Sequence, residues 1–484
     1  DQVGATFDQV FTSGDDNKLI VPQFLTRYGL QSYFVKQRDA LVELTAMDSW
    51  GLNLTHSVKY SEADRAEIQR QLTEQYLSDY TATWRAGMDN LNVRNYESIA
   101  ELTGALEQII SGDQPLQRAL TALRDNTQPA VLSEKLDDRA LQEAMAEPEY
   151  QLLTRLGHEF SPENSTLAVQ KDKENTLQAV YQQLTELHRY LLAIQNAPVQ
   201  GKSALKAVQL RLDQNSSDPI FTTRQMAKTL PAPLNRWVGR LADQAWHVVM
   251  VEAVHYMEVD WRDNVVKPFN EQLANNYPFN PRSSQDASLD AFERFFKPDG
   301  VLDTFYQQNL RLFIENNLSL EDGDNNVIIR EDVQEQLNAA QEIRDAFFSR
   351  QNGLGAQFAV ETVSLSGNKR RSVLNLDGQL VDYSQGRNYT AHLVWPNNMR
   401  EGNESKLTLI GTGGKTPRSI GFSGPWAQFR LFGAGQLTGV QDGTFSVRFN
   451  VDGGAMVYRV HTDTVDNPFT GGLFSQFRLP DTLY

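Results

Sequence analysis

The sequence has 484 residues, of which 40% are hydrophobic and 10% aromatic, and a chain of this length folds into about three domains of ordinary size. Its 61 Asp and Glu residues outnumber 45 Lys and Arg residues, and the resulting formal charge of −16 disfavours general binding to nucleic acid or anionic lipid. Cysteine is absent, which excludes disulfides, thiol nucleophiles and thiolate metal sites.

No stretch of the sequence predicts a membrane span. The most apolar long run, WHVVMVEAVHYM at 246–257, contains Glu252 and is shorter than the roughly 20 residues that a membrane helix needs. The chain starts at Asp1 with neither a methionine nor an apolar leader, so we expect it to be a segment of a longer protein.

Apolar residues recur at helical spacing up to about residue 350. One stripe steps by four from Ile68 to Trp84, and another runs from Leu177 to Leu192, as in long amphipathic helices. Ser61 precedes the first stripe, and Asp64 follows three residues later, which predicts a capping box.

A loop rich in Asn, Ser and Asp, DQNSSDPIF at 213–221, interrupts the helical pattern and indicates a domain boundary. A further helical group follows it. We therefore predict one helical domain at 1–218 and a second at 219–352.

The period changes to two after about residue 353. Phe445, Val447, Phe449 and Val451 alternate with polar residues, and the Asp-Gly-Gly of VDGGAMVYRV at 451–460 predicts a hairpin turn. Short strands and frequent glycines predict an antiparallel β-sandwich at 353–484. The predicted fold class is thus long amphipathic helical bundle domains followed by a C-terminal antiparallel β-sandwich.

The segment LIGTGGKTPRS at 409–419 ends like a phosphate-binding loop. That motif needs a glycine where Leu409 stands, and it needs a helix after the loop, whereas SIGFSGPW has no helical period. We interpret the segment as the loop of a β-hairpin.

A metal site is the next candidate. Glu252 and His255 have the Glu-x-x-His spacing of di-metal helical bundles, and His247 and Glu258 lie nearby. Such sites need a second Glu-x-x-His pair, which the sequence lacks, so a structural histidine in a helical core is the favoured reading.

Two further motifs are incomplete. Asp322, Asp324 and Asn326 alternate as in a calcium loop, but valines stand at the sixth and twelfth positions, and we predict a solvated acidic turn. Ser203 and Lys206 have a Ser-x-x-Lys spacing without the motifs that accompany it in acyl-transfer enzymes, and Lys206 is interpreted as an exposed helical residue.

Two stretches share a Phe-Arg-Leu core, GPWAQFRLF at 424–432 and GGLFSQFRLPDTLY at 471–484. Apolar residues flank the arginine at spacing two in both stretches. We predict two strands of one sheet, whose arginines stack on neighbours or pair with acids.

These stretches, together with YPFNPRSSQDASLDAFERFFKPDGVLDTFYQQNL at 277–310, resemble the C-terminal, periplasmic part of the IcmF/TssM family of type VI secretion membrane proteins. The matching elements, in order, are Tyr277-Pro278-Phe279, Phe295-Phe296-x-Pro298-x-Gly300 and the two Phe-Arg-Leu segments. The helices before residue 277 are compatible with the upstream region of the family.

The resemblance implies a scaffold without catalytic residues or cofactor, in the periplasmic region of a bacterial inner-membrane protein. It implies that the C-terminal β domain binds the outer-membrane lipoprotein TssJ, that the inner-membrane protein TssL binds parts outside this chain, and that the assembled complex contains several copies. Nucleic acid is not an implied partner. The alternative is an envelope hydrolase acting on cell wall or glycan through paired carboxylates or a metal.

Four polar residues of predicted β-domain loops and strand edges are the candidate partner contacts. They are expected to be exposed, and they are Asn397, Arg400, Lys415 and Arg418.

Overall fold

The computed structural model describes most of the chain. The described residues are 6–15, 20–48, 61–168, 175–214, 217–316, 329–349, 353–397, 404–470 and 472–484. They divide into two compact units, Asp1–Ala253 and Val254–Tyr484. The domain boundaries predicted after residues 218 and 352 stay predictions.

The first unit is built from helices. They are α1 (Phe7–Val10), α2 (Arg27–Gly29), α3 (Val35–Asp48), α4 (Glu62–Asn90), α5 (Ile99–Ile110), α6 (Pro115–Thr127), α7 (Asp138–Ala146), α8 (Pro148–Glu159), α9 (Ser161–Ser165), α10 (Thr176–Gln195), α11 (Gln200–Gln214), α12 (Pro219–Ala227) and most of α13 (Leu234–Asp260). A 3₁₀ turn covers Gln23–Leu25 and a π-helical turn covers Leu30–Phe34. Strands β1 (Phe11–Ser13) and β2 (Leu91–Val93) form an antiparallel pair.

The predicted helical stripes are confirmed. Helix α4 begins with the capping box, in which the Ser61 Oγ accepts from the Asp64 amide at 3.2 Å and an Asp64 carboxylate oxygen accepts from the Ser61 amide at 2.9 Å. Tyr80 and Trp84 of the first stripe are buried, as is the stripe of α10 from Leu177 to Ile194. Burial of these apolar faces is the main source of stability for such helices.

The second unit begins with helical segments. After α13 they are the π-helical turns Trp261–Val266, Asn270–Ala274 and Tyr306–Leu310 and the helices α14 (Lys267–Phe269), α15 (Leu289–Phe296), α16 (Val301–Phe305), α17 (Arg311–Glu315) and α18 (Glu331–Phe347). The rings of Phe279, Phe295 and Phe296 pack in one aromatic cluster. Phe279 stacks on Phe296 at a centroid distance of 5.7 Å, so these elements act as fold determinants.

The remainder of the second unit is a β-sandwich with two short helices. Its strands are β3 (Ala356–Leu365), β4 (Lys369–Leu376), β5 (Gln379–Tyr383), β6 (Thr390–Trp395), β7 (Glu404–Gly411), β8 (Arg418–Ser423), β9 (Gln436–Gln441), β10 (Thr444–Val451) and β11 (Gly454–Thr462), and its helices are α19 (Ala427–Ala434) and α20 (Gly472–Ser475). All strand pairs are antiparallel. One sheet has the order β6-β3-β11-β10-β9 and the other the order β5-β4-β7-β8.

The predicted sandwich and its hairpins are confirmed. Phe445, Val447 and Phe449 point into the core between the sheets, where β3 packs against β4 and β10 against β8. The turn between β10 and β11 has Asp452 at φ 48° and Gly453 at φ 75°, the left-handed backbone of a tight hairpin. The segment 409–419 also forms a hairpin loop, between β7 and β8.

The strand prediction for the two Phe-Arg-Leu stretches is wrong. Residues 427–434 form helix α19, and Trp426, Phe429 and Phe432, which recur every three residues, are all buried. Phe477 and Leu479 lie in a segment without a strand partner, although both are buried. Within the described residues, no helix has the length and hydropathy of a membrane span.

Candidate functional site

The two flanks of the sandwich differ. At one flank, the side chain of Gln379 on β5 of the smaller sheet bonds to the backbone of β6 in the larger sheet. The Gln379 amide nitrogen donates to the Val394 carbonyl at 2.8 Å, and the Val394 amide donates to the Gln379 side-chain oxygen at 2.9 Å. The side chain of Gln379 thus takes the place of a neighbouring strand at Val394, and we call this the sealed flank.

The opposite flank is open. Within the described residues, β8 pairs only with β7 and β9 pairs only with β10, so each presents one edge without a partner strand. A groove of about 410 Å³ lies between these edges, and helix α19 forms its floor. Its walls are largely apolar; they are formed by Tyr277, Pro278, Pro281, Phe422, Phe429, Arg430, Gly433, Ala434, Leu437, Pro468, Phe469, Thr470 and Phe474. We call this the open groove.

An ion pair fixes the wall of the open groove. Arg430 on α19 donates to one oxygen of Asp286 through Nε at 2.8 Å and Nη2 at 2.5 Å, and it donates to the Ser283 carbonyl at 3.0 Å. Its guanidinium also lies 4.0 Å from the ring centre of Tyr277. Burial raises the pKa of Tyr277 to about 12. The predicted pairing of this arginine with an acid, and its stacking on a neighbour, are confirmed.

The same carboxylate determines where α19 begins. The second oxygen of Asp286 accepts from the Trp426 amide at 3.1 Å, and the indole of Trp426 donates to the Ala287 carbonyl at 2.8 Å. Gly424, two residues earlier, has φ 104°, and a Cβ there would lie 2.4 Å from Asp286 Oδ2. A glycine is therefore required at this approach of the chain to Asp286.

A buried carboxyl lies at the sealed flank. Asp377 is 4% exposed, and its oxygens accept from Ser405 Oγ at 3.1 Å and Gln428 Nε2 at 2.9 Å. Burial raises the pKa of Asp377, although these two hydrogen bonds oppose the shift. The Asp377 carbonyl accepts from the Asn397 side chain at 3.0 Å, which ties the loop after β6 to this cluster.

The candidate partner contacts do not form one surface. Asn397 is half-buried rather than exposed, because its amide is bound to the Asp377 carbonyl. Lys415 and Arg418 are exposed, as expected, but they belong to the hairpin loop at the opposite end of the strands. Arg400 lies outside the described residues. Sequence reasoning did not find the open groove, because its residues are separated by up to about 200 positions.

The other candidate motifs do not assemble into sites. Glu252 is half-buried and His255 is exposed on α13, so the interpretation of a structural core histidine is wrong for His255, whereas His247 is half-buried. In the described part of the chain, no group of three or more His, Asp or Glu side chains has the geometry of a metal site. Lys206 is exposed on α11, as interpreted from sequence. The acidic turn with Asp322, Asp324 and Asn326 lies outside the described residues.

The C-terminal segment packs on the helical part of the second unit. Individual hydrogen bonds hold it there, and none of those described below belongs to a β-ladder. The Trp261 indole donates to the Pro480 carbonyl at 2.7 Å, and the Arg330 amide donates to the Leu483 carbonyl at 2.8 Å. The Leu483 amide donates to the Glu258 carboxylate at 2.8 Å. Because Leu483 itself is fully buried, this segment joins the end of the β-sandwich to the helices before it.

Three family models match successive parts of this chain. Residues 1–128 match the IcmF-related model, described as intracellular multiplication and human macrophage-killing. Residues 253–350 match the helical domain of the type VI secretion protein IcmF, and residues 358–464 match its C2-like domain. Together the three models cover more than half of the chain.

Individual proteins agree with the family models. The chain is 27% identical over 264 residues to the type VI secretion system component TssM1 of Pseudomonas aeruginosa, a match that covers 53% of this chain and 24% of that protein. The matched part thus spans about a quarter of the length of that relative.

Two solved structures show the same fold. A chain of a type VI secretion system membrane core complex has a TM-score of 0.67 and 20% identity, over 98% of this chain and 92% of that chain. A chain of a type VI membrane complex has a TM-score of 0.62 and 20% identity, over 87% and 82% of the two chains.

Proposed function

This chain belongs to the IcmF/TssM family of type VI secretion proteins, and on that premise we propose that it is a scaffold segment of a type VI secretion membrane complex. The proposal gives it a mechanical role without catalysis or cofactor. Long helices suit such a role, because each helical residue adds about 1.5 Å of reach. No observation on the described residues favours the alternative of an envelope hydrolase.

We place this segment in the periplasm, as part of an inner-membrane protein, and propose that its β-sandwich binds the outer-membrane lipoprotein TssJ. The protein would then join the two membranes. The inner-membrane protein TssL would bind parts of the protein outside this chain, and several copies would assemble in the complex.

The open groove is the observation that carries the lipoprotein proposal. An apolar groove between two unpaired strand edges suits an extended segment of a partner, which adds to one edge through backbone hydrogen bonds while its side chains enter the groove. Affinity then comes from the strand pairing, and specificity comes from the pockets that receive the side chains.

Titration calorimetry of this 484-residue chain with the soluble part of the lipoprotein tests the proposal. We expect binding by the wild type and its loss in Ala434→Trp, because Ala434 is exposed on the groove and an indole there would occupy it. Ala86→Trp is the matched control, since Ala86 is exposed on α4 and does not line the groove.

The outcomes separate the two parts of the proposal. Absence of wild-type binding at high micromolar concentration would exclude the lipoprotein as a direct partner of this segment. Equal binding by the wild type and Ala434→Trp would keep the lipoprotein as partner but exclude the open groove as its site. Melting temperatures of both variants verify that the fold is intact.

A further inference from the structure

Charge is distributed unevenly along this acidic chain. Residues 353–484 carry 12 Lys and Arg against 10 Asp and Glu, whereas residues 1–352 carry 33 against 51. The formal charge is therefore +2 for the β-sandwich region and −18 for the rest. The average acidity of the chain conceals a locally basic part.

Within the sandwich, the basic side chains collect at one end. Four connections lie at this end: the β3–β4 turn, the β5–β6 loop, the β7–β8 loop and the β10–β11 turn. Six cations belong to these connections or to the strand residues beside them: Lys369, Arg370, Arg371, Arg387, Lys415 and Arg418. We call this end the basic tip.

Hydrogen bonds between the connections make the basic tip a defined surface. Gln385 of the β5–β6 loop donates to the carbonyls of Leu365, Ser366 and Lys369 at 3.0 to 3.2 Å. Asn368 of the β3–β4 turn donates to the Gly453 carbonyl at 2.9 Å. The β3–β4, β5–β6 and β10–β11 connections therefore hold one another in place.

Four of these cations are not neutralised. Lys369 pairs with Asp452, and Arg371 pairs with Asp382. No carboxylate of the described residues forms an ion pair with the exposed side chains of Arg370, Arg387, Lys415 and Arg418.

The Arg370 Nε donates to the Gly411 carbonyl at 3.2 Å, which places this guanidinium beside the β7–β8 loop. Neighbouring strands lie about 4.8 Å apart, so the four strands of the smaller sheet give the basic tip a width of roughly 15 Å.

We propose that the basic tip binds the surface of a bilayer that contains anionic phospholipids. The tip has cations without a wide apolar centre, whereas protein interfaces usually bury aromatic anchors at their core. Among the described residues at this end, Tyr389 is the one large ring that is exposed, by 40%. An amphipathic ring beside cations suits the headgroup region. A single ring gives no stacking platform for nucleic acid bases.

Sedimentation of this chain with vesicles tests the proposal. We expect binding to vesicles of phosphatidylcholine mixed with phosphatidylglycerol, no binding to phosphatidylcholine alone, and weaker binding as salt screens the cations. Lys415→Glu combined with Arg418→Glu should weaken the partitioning by well over tenfold, since each cation near an anionic surface contributes roughly fivefold.

The control variant makes the same change of charge elsewhere on the sandwich. It combines Lys406→Glu on β7 with Arg448→Glu on β10, neither of which lies at the basic tip. Binding should be far less affected than in the tip variant. An equal loss in both variants would show general charge attraction and overturn the assignment to the tip.

Two other results would overturn the proposal. One is absence of binding to the anionic vesicles at low salt. The other is a tip variant that binds those vesicles like the wild type but fails to bind the lipoprotein in solution, which would make the tip a protein contact. Ala434→Trp changes the open groove and is expected to leave vesicle binding unchanged. Failure of the lipoprotein proposal can therefore be distinguished from failure of the proposal that the basic tip binds a bilayer.

Discussion

Arg430 on α19 and Asp286 form a nearly buried ion pair across 144 residues of sequence, with the two side chains 15% and 10% exposed. The carboxylate also accepts from the amide of Trp426, the residue before α19, so this acid connects the helical part of the second unit to the β-sandwich.

Replacement of Arg430 by Ala should destabilise the protein by about 3 kcal/mol or more, because it leaves the Asp286 charge without its partner in a poorly solvated place. Chemical denaturation measures the loss. Arg459→Ala is the control, since Arg459 pairs with Glu361 at 3.9 Å on the surface and its loss should cost under about 1 kcal/mol. Equal losses in the two variants would mean that the Arg430 pair contributes no more than a surface contact.

Gly424→Ala should destabilise the protein by about 1–3 kcal/mol from backbone strain alone, and by more if Asp286 has to move. The reason is the combination of φ 104° with a Cβ only 2.4 Å from the Asp286 carboxylate. Gly413→Ala is its counterpart in the β7–β8 loop, where a Cβ would meet no atom within 4 Å, and it should be close to neutral. Thermal melting of the two variants is the measurement. The explanation fails if Gly424→Ala melts like the wild type.

Leu483→Ala should cost about 2–5 kcal/mol, because Leu483 is fully buried on the helical part of the second unit and its removal leaves a cavity. Tyr484→Ala changes the next residue, which is 52% exposed, and should stay within about 0.5 kcal/mol of the wild type. Urea unfolding followed by tryptophan fluorescence compares the two. A small loss for Leu483→Ala would show that the C-terminal segment is not bound in solution as in the structure.

Stability should depend on pH through Asp377. Burial raises its pKa in the folded protein above the ordinary value of 3.8, so the folded state holds a proton that the unfolded state has released. The stabilising contribution of this proton is complete below pH 3.8 and is lost as pH rises through the raised pKa.

Asp377→Asn removes this titration. The free energy of unfolding of the wild type minus that of the variant should therefore decrease as pH rises above 3.8 and then become constant. Urea unfolding at a series of pH values gives both curves. A difference that stays flat from acid to neutral pH would contradict a raised pKa.

The long helices and the sandwich could be predicted because their patterns repeat. The α10 stripe from Leu177 to Ile194 and the alternation of β10 each extend over several turns or pleats, so local sequence contains the whole signal. The capping box of α4 is also local, since it involves only Ser61 and Asp64.

The α19 segment could not be assigned in the same way. Its eight residues place Phe429 and Leu431 at strand spacing and Phe429 and Phe432 at helical spacing, and both patterns are too short to decide. The helix follows from Asp286, which binds the Trp426 amide from a distant part of the chain. The segment around Phe477 was mistaken for a strand because its partners are side chains of helices, which include Gln336 and Glu258.

The candidate site shows the same limit. Lys415 and Arg418 were expected to be exposed because Gly-rich hairpin loops are solvated, and they are. Asn397 was misjudged because its partner is the backbone of Asp377 in another strand connection. The open groove depends on which strands remain unpaired, a property of the sheet order that local patterns do not contain.

The hydrogen bonds between Gln379 and Val394 also limit how copies of this sandwich associate. Because the side chain of Gln379 already occupies the Val394 amide and carbonyl, a strand from a second copy cannot form a continuous ladder along the edge of β6. Gln379→Ala would free the Val394 amide and carbonyl for pairing with such a strand. One glutamine thus disfavours strand addition at the flank opposite the open groove.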